Sequence, residues 1–236
     1  MIYVTGDTHG GIDVKKFVFK HFEPEDYVII LGDFGFVWEY KPKEIKEERK
    51  RLEAFLNMVG CTVLFVDGNH ENFDRLNAFP VTKKFGGKVQ KIADKCYHLM
   101  RGERYDINGF KFLALGGAES HDKKYRHYGT SIWAEESITE KEADKAIDVL
   151  KWGVDYVLTH CAPTSFQHKL FVSQNIPYSV YDENFSCQQL ERVLHALEKQ
   201  DKEWKWFMGH YHCDCDFKPF YVLYKQFYCI EKGKWV

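Results

Sequence analysis

The stretch Val63-Leu64-Phe65-Val66-Asp67-Gly68-Asn69-His70-Glu71 constrains this chain more than any other. A short apolar run of the kind that makes a buried strand stops at Gly68, and three side chains able to bind metal or move protons follow at once. The pattern recurs. Ile2-Tyr3-Val4-Thr5-Gly6 runs into Asp7-Thr8-His9, and Tyr27-Val28-Ile29-Ile30-Leu31-Gly32 runs into Asp33. Tyr156-Val157-Leu158-Thr159 runs into His160, and Trp206-Phe207-Met208-Gly209 runs into His210-Tyr211-His212. In open α/β sheets, ligands bind in the crevice beyond the carboxyl ends of the strands. Strand ends carrying Asp7, His9, Asp33, Asn69, His160, His210 and His212 therefore point at one shared metal site.

Imidazole, carboxylate and amide oxygen suit first-row ions such as manganese, iron, zinc or nickel. No cysteine sits in these motifs, so a thiolate-rich structural zinc site is not indicated. The ligand set is too large for one ion and about right for two sharing a bridge, the arrangement that clamps both oxygens of an in-line displacement.

Between the motifs the chain alternates helix and strand signals. Residues 13–22 carry Val14, Phe17, Val18 and Phe22 near one face and read as a helix. A charged helix follows over 42–59, with Ile45, Leu52, Phe55, Leu56 and Val59 inward and the Lys/Glu pattern of 41–51 as a solvated face. Phe34-Gly35-Phe36-Val37-Trp38 forms an apolar loop suited to packing. Residues 89–92, 97–99, 104–107 and 110–115 read as strands, with Asn108-Gly109 as a hairpin turn. Having no helices between them, they are expected to pair antiparallel in a second sheet. Thr139-Glu140-Lys141-Glu142 and Ser186-Cys187-Gln188-Gln189 read as capping boxes opening two more helices. Residues 161–185 read as a long irregular segment, and 221–230 as a closing strand or hairpin. Arg101 reads as a surface or strand-end residue. Cys213 and Cys215, taken as alternate strand residues, should point to opposite faces and stay outside the site. One domain over residues 1–236 is the economical reading.

A formal charge of −2 gives no global basic field, so a nucleic-acid partner would be engaged locally. Seven cysteines without framework spacing favour a reduced compartment. A strand starting at Ile2 leaves no room for a signal peptide, and no apolar run approaches the roughly 20 residues of a membrane span. A soluble, cytoplasmic protein is expected, with no membrane association and no obligate protein partner.

Asp7-x-His9, Gly32-Asp33, Gly68-Asn69-His70-Glu71, His160 and Gly209-His210-x-His212, in this order and each after an apolar strand, resemble the motifs of calcineurin-like metallophosphoesterases. The resemblance implies a metallo-dependent phosphatase fold of the α/β class: a four-layer α/β/β/α sandwich with two mixed β-sheets. Asp7, His9, Asp33 and His212 would bind one metal. Asp33 would bridge to a second, held also by Asn69, His160 and His210. The ions would be divalent or trivalent, manganese first, with iron, zinc, nickel or magnesium as alternatives. A hydroxide between them would attack phosphorus, and His70 would act as the catalytic acid.

Protein serine/threonine phosphatases of this family continue the second motif with an Asp and an Arg where this chain has Phe36 and Val37. The carboxylate that would orient His70 and the arginine that would grip a phosphomonoester are both missing. The expected substrate is therefore a phosphodiester, a nucleotide or another small phosphoester gripped from elsewhere. His121 and Arg126, with Lys123 and His127, are the candidate substitutes. A nuclease or cyclic-phosphate phosphodiesterase acting on nucleic-acid ends is one alternative, and a non-catalytic metal-binding scaffold is the other.

Overall fold

The computed structural model describes residues 1–174 and 184–236. In chain order the strands are β1 (Ile2–Thr5), β2 (Tyr27–Leu31), β3 (Thr62–Val66), β4 (Val81–Lys84), β5 (Gly87–Ala93), β6 (Cys96–Leu99), β7 (Glu103–Ile107), β8 (Phe110–Leu115), β9 (Tyr156–Thr159), β10 (Lys205–Met208), β11 (Cys215–Phe217), β12 (Phe220–Val222), β13 (Phe227–Cys229) and β14 (Lys234–Trp235). The helices are α1 (Pro42–Val59), α2 (Phe73–Asn77), α3 (Glu140–Leu150), α4 (Thr164–Ser173) and α5 (Phe185–Leu197). One sheet runs β14-β13-β1-β2-β3-β6-β5-β4 and the other β11-β12-β10-β9-β8-β7. Both are mixed. β1, β2, β3 and β6 are parallel neighbours in the first, as are β8, β9, β10 and β12 in the second.

Period-two alternation sends neighbouring residues of each central strand to opposite faces, and both faces are covered, so the strands read as continuous apolar runs. Val4, Leu31 and Val66 of the first sheet meet Ala114, Leu158 and Phe207 of the second in a core between the sheets. The other face of the first sheet, including Val28, Ile30 and Phe65, packs on Leu52, Phe55 and Val59 of α1. The outer face of the second, including Leu113, Val157 and Met208, packs on α3 through Ala143 and Ala146 and on α5 through Leu190 and Val193. The layers are thus helix, sheet, sheet, helix, the expected four-layer sandwich. No helix among the described residues is long and apolar enough to cross a membrane.

Local signals account for the element ends. α1 has Pro42 in its first turn and stops at Gly60, whose left-handed backbone (φ 74°) directs its N–H to Leu56 O at 2.9 Å. Thr139 and Glu142 form the expected capping box on α3. Asn108 and Gly109 both adopt positive φ between β7 and β8, the backbone a two-residue hairpin needs.

Several expectations are corrected. Residues 13–22 form only a short 3-10 turn at Val14–Phe17, because the Lys16 ammonium is tethered to three backbone carbonyls of neighbouring loops. The strands of 89–115 do not build one sheet. β5 and β6 complete the first sheet, with β6 parallel to β3, and the chain crosses to the second only at β7. Residues 221–230 are not a hairpin, since β12 and β13 belong to different sheets. Residues 164–173 of the supposed irregular segment are α4, and the part at 175–183, with Pro177, lies outside the described residues. The cap of α5 is Asn184, whose side chain accepts from Cys187 N. Ser186 instead bonds Glu119 and Ile138 N. Glu48, on the supposedly solvated face of α1, is buried.

Arg101 is also not a surface residue. Its guanidinium, 8% exposed, donates to the buried Asp67 carboxylate through Nε (2.8 Å) and Nη2, and Nη1 donates to Ser137 O at 2.9 Å. Burial opposes charge on Asp67, but Arg101 and His98 outweigh it and hold the carboxyl well below its usual range. Arg101→Met should lower stability by about 3–5 kcal/mol, the cost of leaving one member of a buried pair unmatched. A urea-denaturation loss below about 1 kcal/mol, the range of exposed pairs, would refute that account.

Candidate metal centre

Every expected ligand lies just past the carboxyl end of a parallel strand: Asp7 and His9 after β1, Asp33 after β2, Asn69 after β3, His160 after β9, and His210 and His212 after β10. The backbone turns sharply there. His9 (φ 44°), Asp33 (φ 45°), His210 (φ 68°) and His212 (φ 49°) are all left-handed, a conformation that strains L-residues by roughly 1–3 kcal/mol each. Gly68 has a different cause. A Cβ there would stand 2.2 Å from Asp33 Oδ1, so only glycine lets β3 end against that carboxylate.

The donor atoms converge in overlapping groups, two of them built only from the expected ligands. Asp7, His9 and His212 each offer an atom within 4.8 Å of the others, and so do Asp7, Asp33 and His160. His212 Nε2 lies 3.1 Å from Asp7 Oδ2, and His9 Nε2 lies 3.2 Å from Asp33 Oδ2. His160 Nδ1 donates to Leu31 O at 2.7 Å, so in the neutral imidazole Nε2 carries a lone pair. That lone pair faces Asp33 Oδ1, Asn69 Oδ1 and His210 Nδ1, each at 3.2 Å. Acceptors crowded together in this way call for a cation. Asp7 Oδ2 and His210 Nε2 are buried without a hydrogen-bond partner, which leaves both atoms available to a cation.

The charges agree. Burial would raise the Asp7 and Asp33 carboxyls, but surrounding imidazoles outweigh it: His212 and His160 at Asp7, and His160 and His9 at Asp33. Both stay below the usual carboxylate range, Asp33 well below. Burial opposes charge on His9 and His160, yet Asp33 lifts each to about 9. Burial and the neighbouring His160 push His210 down to about 3. Two buried carboxylates thus recruit positive charge from whatever is present, and a metal ion supplies it without protonating the ligands.

The model of the calcineurin-like phosphoesterase family matches residues 1–214. The chain belongs to that family. No curated protein matches it. Calcineurin-like phosphoesterases are metal-dependent, and these overlapping donor groups are candidate places for this member to hold metal.

The strand-end loops of this calcineurin-like phosphoesterase are held by groups that sequence reading missed. Glu71 sits behind the site, not in it. Its carboxylate accepts from Phe34 N (2.7 Å) and Gly35 N (3.3 Å), and burial and Asp33 raise it well above its ordinary value. Glu48 accepts from Trp38 N (2.6 Å) and Arg75 Nη1 (2.6 Å), fixing the loop that carries Trp38. Asn69 Nδ2 points to Ser120 Oγ at 3.3 Å, and that hydroxyl bonds the buried Glu136 at 2.7 Å. The amide nitrogen is thereby turned away and Oδ1 left toward His160.

On the open side, a cavity of about 220 Å³ is lined by His9, Asp33, Asn69, His70, His121, Asp122, Arg126, His210 and His212. His70 lies beside the donors, with its ring 5.4 Å from that of His9 and 5.6 Å from Trp38. It can also be grouped with His9 and Asp33 as a metal ligand. Arg126 is pinned by Asp122 Oδ1 (2.6 Å) and Ser131 O (3.1 Å), and its Nη2 comes within 3.4 Å of His70 Nε2. Burial, helped by Arg126, lowers the His70 imidazole from its ordinary value despite Asp33. The His121 ring lies 5.3 Å from that of His210. Lys123 and His127 do not line this cavity. Lys123 pairs with Glu119 at 3.5 Å, and His127 is exposed. A larger cavity, about 760 Å³, opens where β9 and β10 begin, at the opposite end of the second sheet, and none of the expected ligands lines it. Cys213 and Cys215 are corrected too. Residues two apart on an extended chain share a face rather than opposing faces, and the sulfurs lie 3.9 Å apart.

Proposed function

We propose that the protein is a binuclear metal-dependent phosphoesterase that hydrolyses a nucleotide or another small phosphate ester. The observation that carries this reading is the convergence of seven donor side chains from five strand ends, two of them with buried atoms that no hydrogen bond satisfies. Asp7, His9, Asp33 and His212 would hold one ion. Asp33, Asn69, His160 and His210 would hold the other. Manganese suits this mixed nitrogen and oxygen set, as do iron, zinc, nickel and magnesium. When bound, the metals supply Lewis-acid stabilisation of the phosphoryl oxygens and a water of lowered pKa, so no separate general base is needed.

The chain supplies the rest. Arg126, which lines the cavity, supplies a cation in a chain whose second motif has Phe36 and Val37, and its two tethers hold it ready for incoming phosphate oxygens. His70 gives a proton to the leaving oxygen. The resting imidazole is biased to the neutral form, and a phosphate seated against Arg126 offsets the guanidinium charge and restores the proton. The cavity is smaller than the roughly 300–1,000 Å³ that encloses a drug-sized ligand. Only the phosphate end enters, and the remainder of the substrate stays outside. Free cysteines throughout suit a reducing, cytoplasmic setting.

The test is hydrolysis of p-nitrophenyl phosphate and bis-p-nitrophenyl phosphate by manganese-reloaded protein, with and without Arg126. Arg126→Ala should cost about 1.5–3 kcal/mol on the monoester, roughly 10–150-fold in kcat/KM, and much less on the diester. Equal rates for wild type and variant on both esters would remove Arg126 from the site. Two bound ions without turnover of either ester would favour the scaffold reading, and turnover confined to oligonucleotide ends would favour the nuclease.

A further inference from the structure

We propose that Tyr224, which lies beyond the matched residues 1–214, is a positioning residue that sets the two imidazoles of one metal ion against each other. The inference rests on the reading that Asp7, His9 and His212 hold an ion. His212 is the most exposed of these ligands, at 51%, so core packing does little to select its rotamer. The Tyr224 ring stacks on it with centroids 4.7 Å apart and planes 18° from parallel. The same side chain reaches the other imidazole through a carboxylate: Tyr224 Oη donates to Asp13 Oδ1 at 2.8 Å, and Asp13 Oδ2 lies 2.6 Å from His9 Nδ1. With its proton on Nδ1, His9 presents the Nε2 lone pair to the site. One phenol therefore fixes the plane of one ligand and, through Asp13, the tautomer and orientation of the other. Partners of this kind are worth about 10–100-fold in metal affinity.

The placement of Tyr224 is built into the backbone. Asp214 Oδ1 accepts N–H bonds from Tyr224 (2.7 Å), Lys225 (3.1 Å) and Gln226 (3.1 Å). The Lys16 ammonium donates to Gly6 O (2.8 Å), Asp7 O (2.7 Å) and Tyr224 O (2.6 Å), tying this turn to the loop that carries Asp7. Gly6 allows the approach, because a Cβ there would stand 2.0 Å from Leu223 O. This bound turn is the crossing from β12 in the second sheet to β13 in the first, and it brings Tyr224 to the side of the site opposite Arg126 and His121 along the run of histidines.

The test is manganese(II) titration of metal-free full-length protein against a competing chelator, with no substrate present. Tyr224→Phe keeps the stack and loses the link to Asp13; Tyr224→Leu loses both. We expect one of the two sites to weaken by about 10-fold in Tyr224→Phe and about 100-fold in Tyr224→Leu. The other site should be unchanged, and so should the melting temperature of the metal-free protein. Wild-type affinity at both sites in Tyr224→Leu overturns the inference. Equal weakening of both sites together with a lower metal-free melting temperature also overturns it, by making the role one of folding. Failure of the wild-type chain to bind manganese would instead defeat the underlying reading of the ligands.

Discussion

Asp33→Asn should abolish turnover and release metal in the same step. The side chain is buried, its Oδ2 lies 3.2 Å from His9 Nε2, and its Oδ1 lies 3.2 Å from His160 Nε2, so it touches a ligand of each proposed ion. It also accepts the His70 N–H at 2.8 Å, which anchors the loop that carries His70. Asparagine preserves the shape and one acceptor but removes the charge that both ions would share. A metal supplies several kcal/mol of transition-state stabilisation, so its loss should cost roughly a thousandfold or more in kcat at about 1.4 kcal/mol per factor of ten. Metal content by mass spectrometry, read beside kcat, decides the matter. A variant with two ions and wild-type kcat would show that Asp33 does not bridge.

The second large effect is expected at His70, and it should be of a different kind. His70→Ala should keep both ions and lose about 10²–10⁴-fold in kcat, the usual worth of a positioned acid. The deficit should be smallest for p-nitrophenol, which leaves well without a proton, and largest for an alkyl alcohol, which needs one. Because His70 can also be grouped with His9 and Asp33, loss of an ion in this variant would make it a ligand and refute the acid role. An equal deficit for good and poor leaving groups would point instead to charge stabilisation on the phosphoryl oxygens.

What could be read in the sequence was whatever the chemistry places side by side along the chain. An apolar strand, a glycine and a polar donor side chain sit within a few residues, so the strand ends and the donor side chains just past them were legible. Partners that meet only across the fold were not. Asp67 and Arg101 are far apart in the chain, as are Ser120 and Glu136, Glu48 and Arg75, and Asp13 and Tyr224. Nothing local marks a charged residue as the one that will be buried. Sheet membership was equally hidden. β6 and β7 are both short strands with an antiparallel neighbour, and the turn between them reads the same whether the chain stays in one sheet or crosses to the other. At α5 two good capping residues, Asn184 and Ser186, stood close together, and only the position of Glu119 settles which one caps.

The left-handed backbone at His9, Asp33, His210 and His212 limits how this protein can change. Elsewhere a strained residue can be relieved by glycine, and selection for sturdiness will find that exchange. At these positions the exchange deletes the donor. Drift can therefore remodel helices, surface loops and even the cavity wall around Arg126, while the turns at the strand ends stay in a conformation no better-suited residue can occupy. A lineage that keeps these donors must keep the strain, and a descendant with glycine at any of these turns would gain stability and lose one donor side chain.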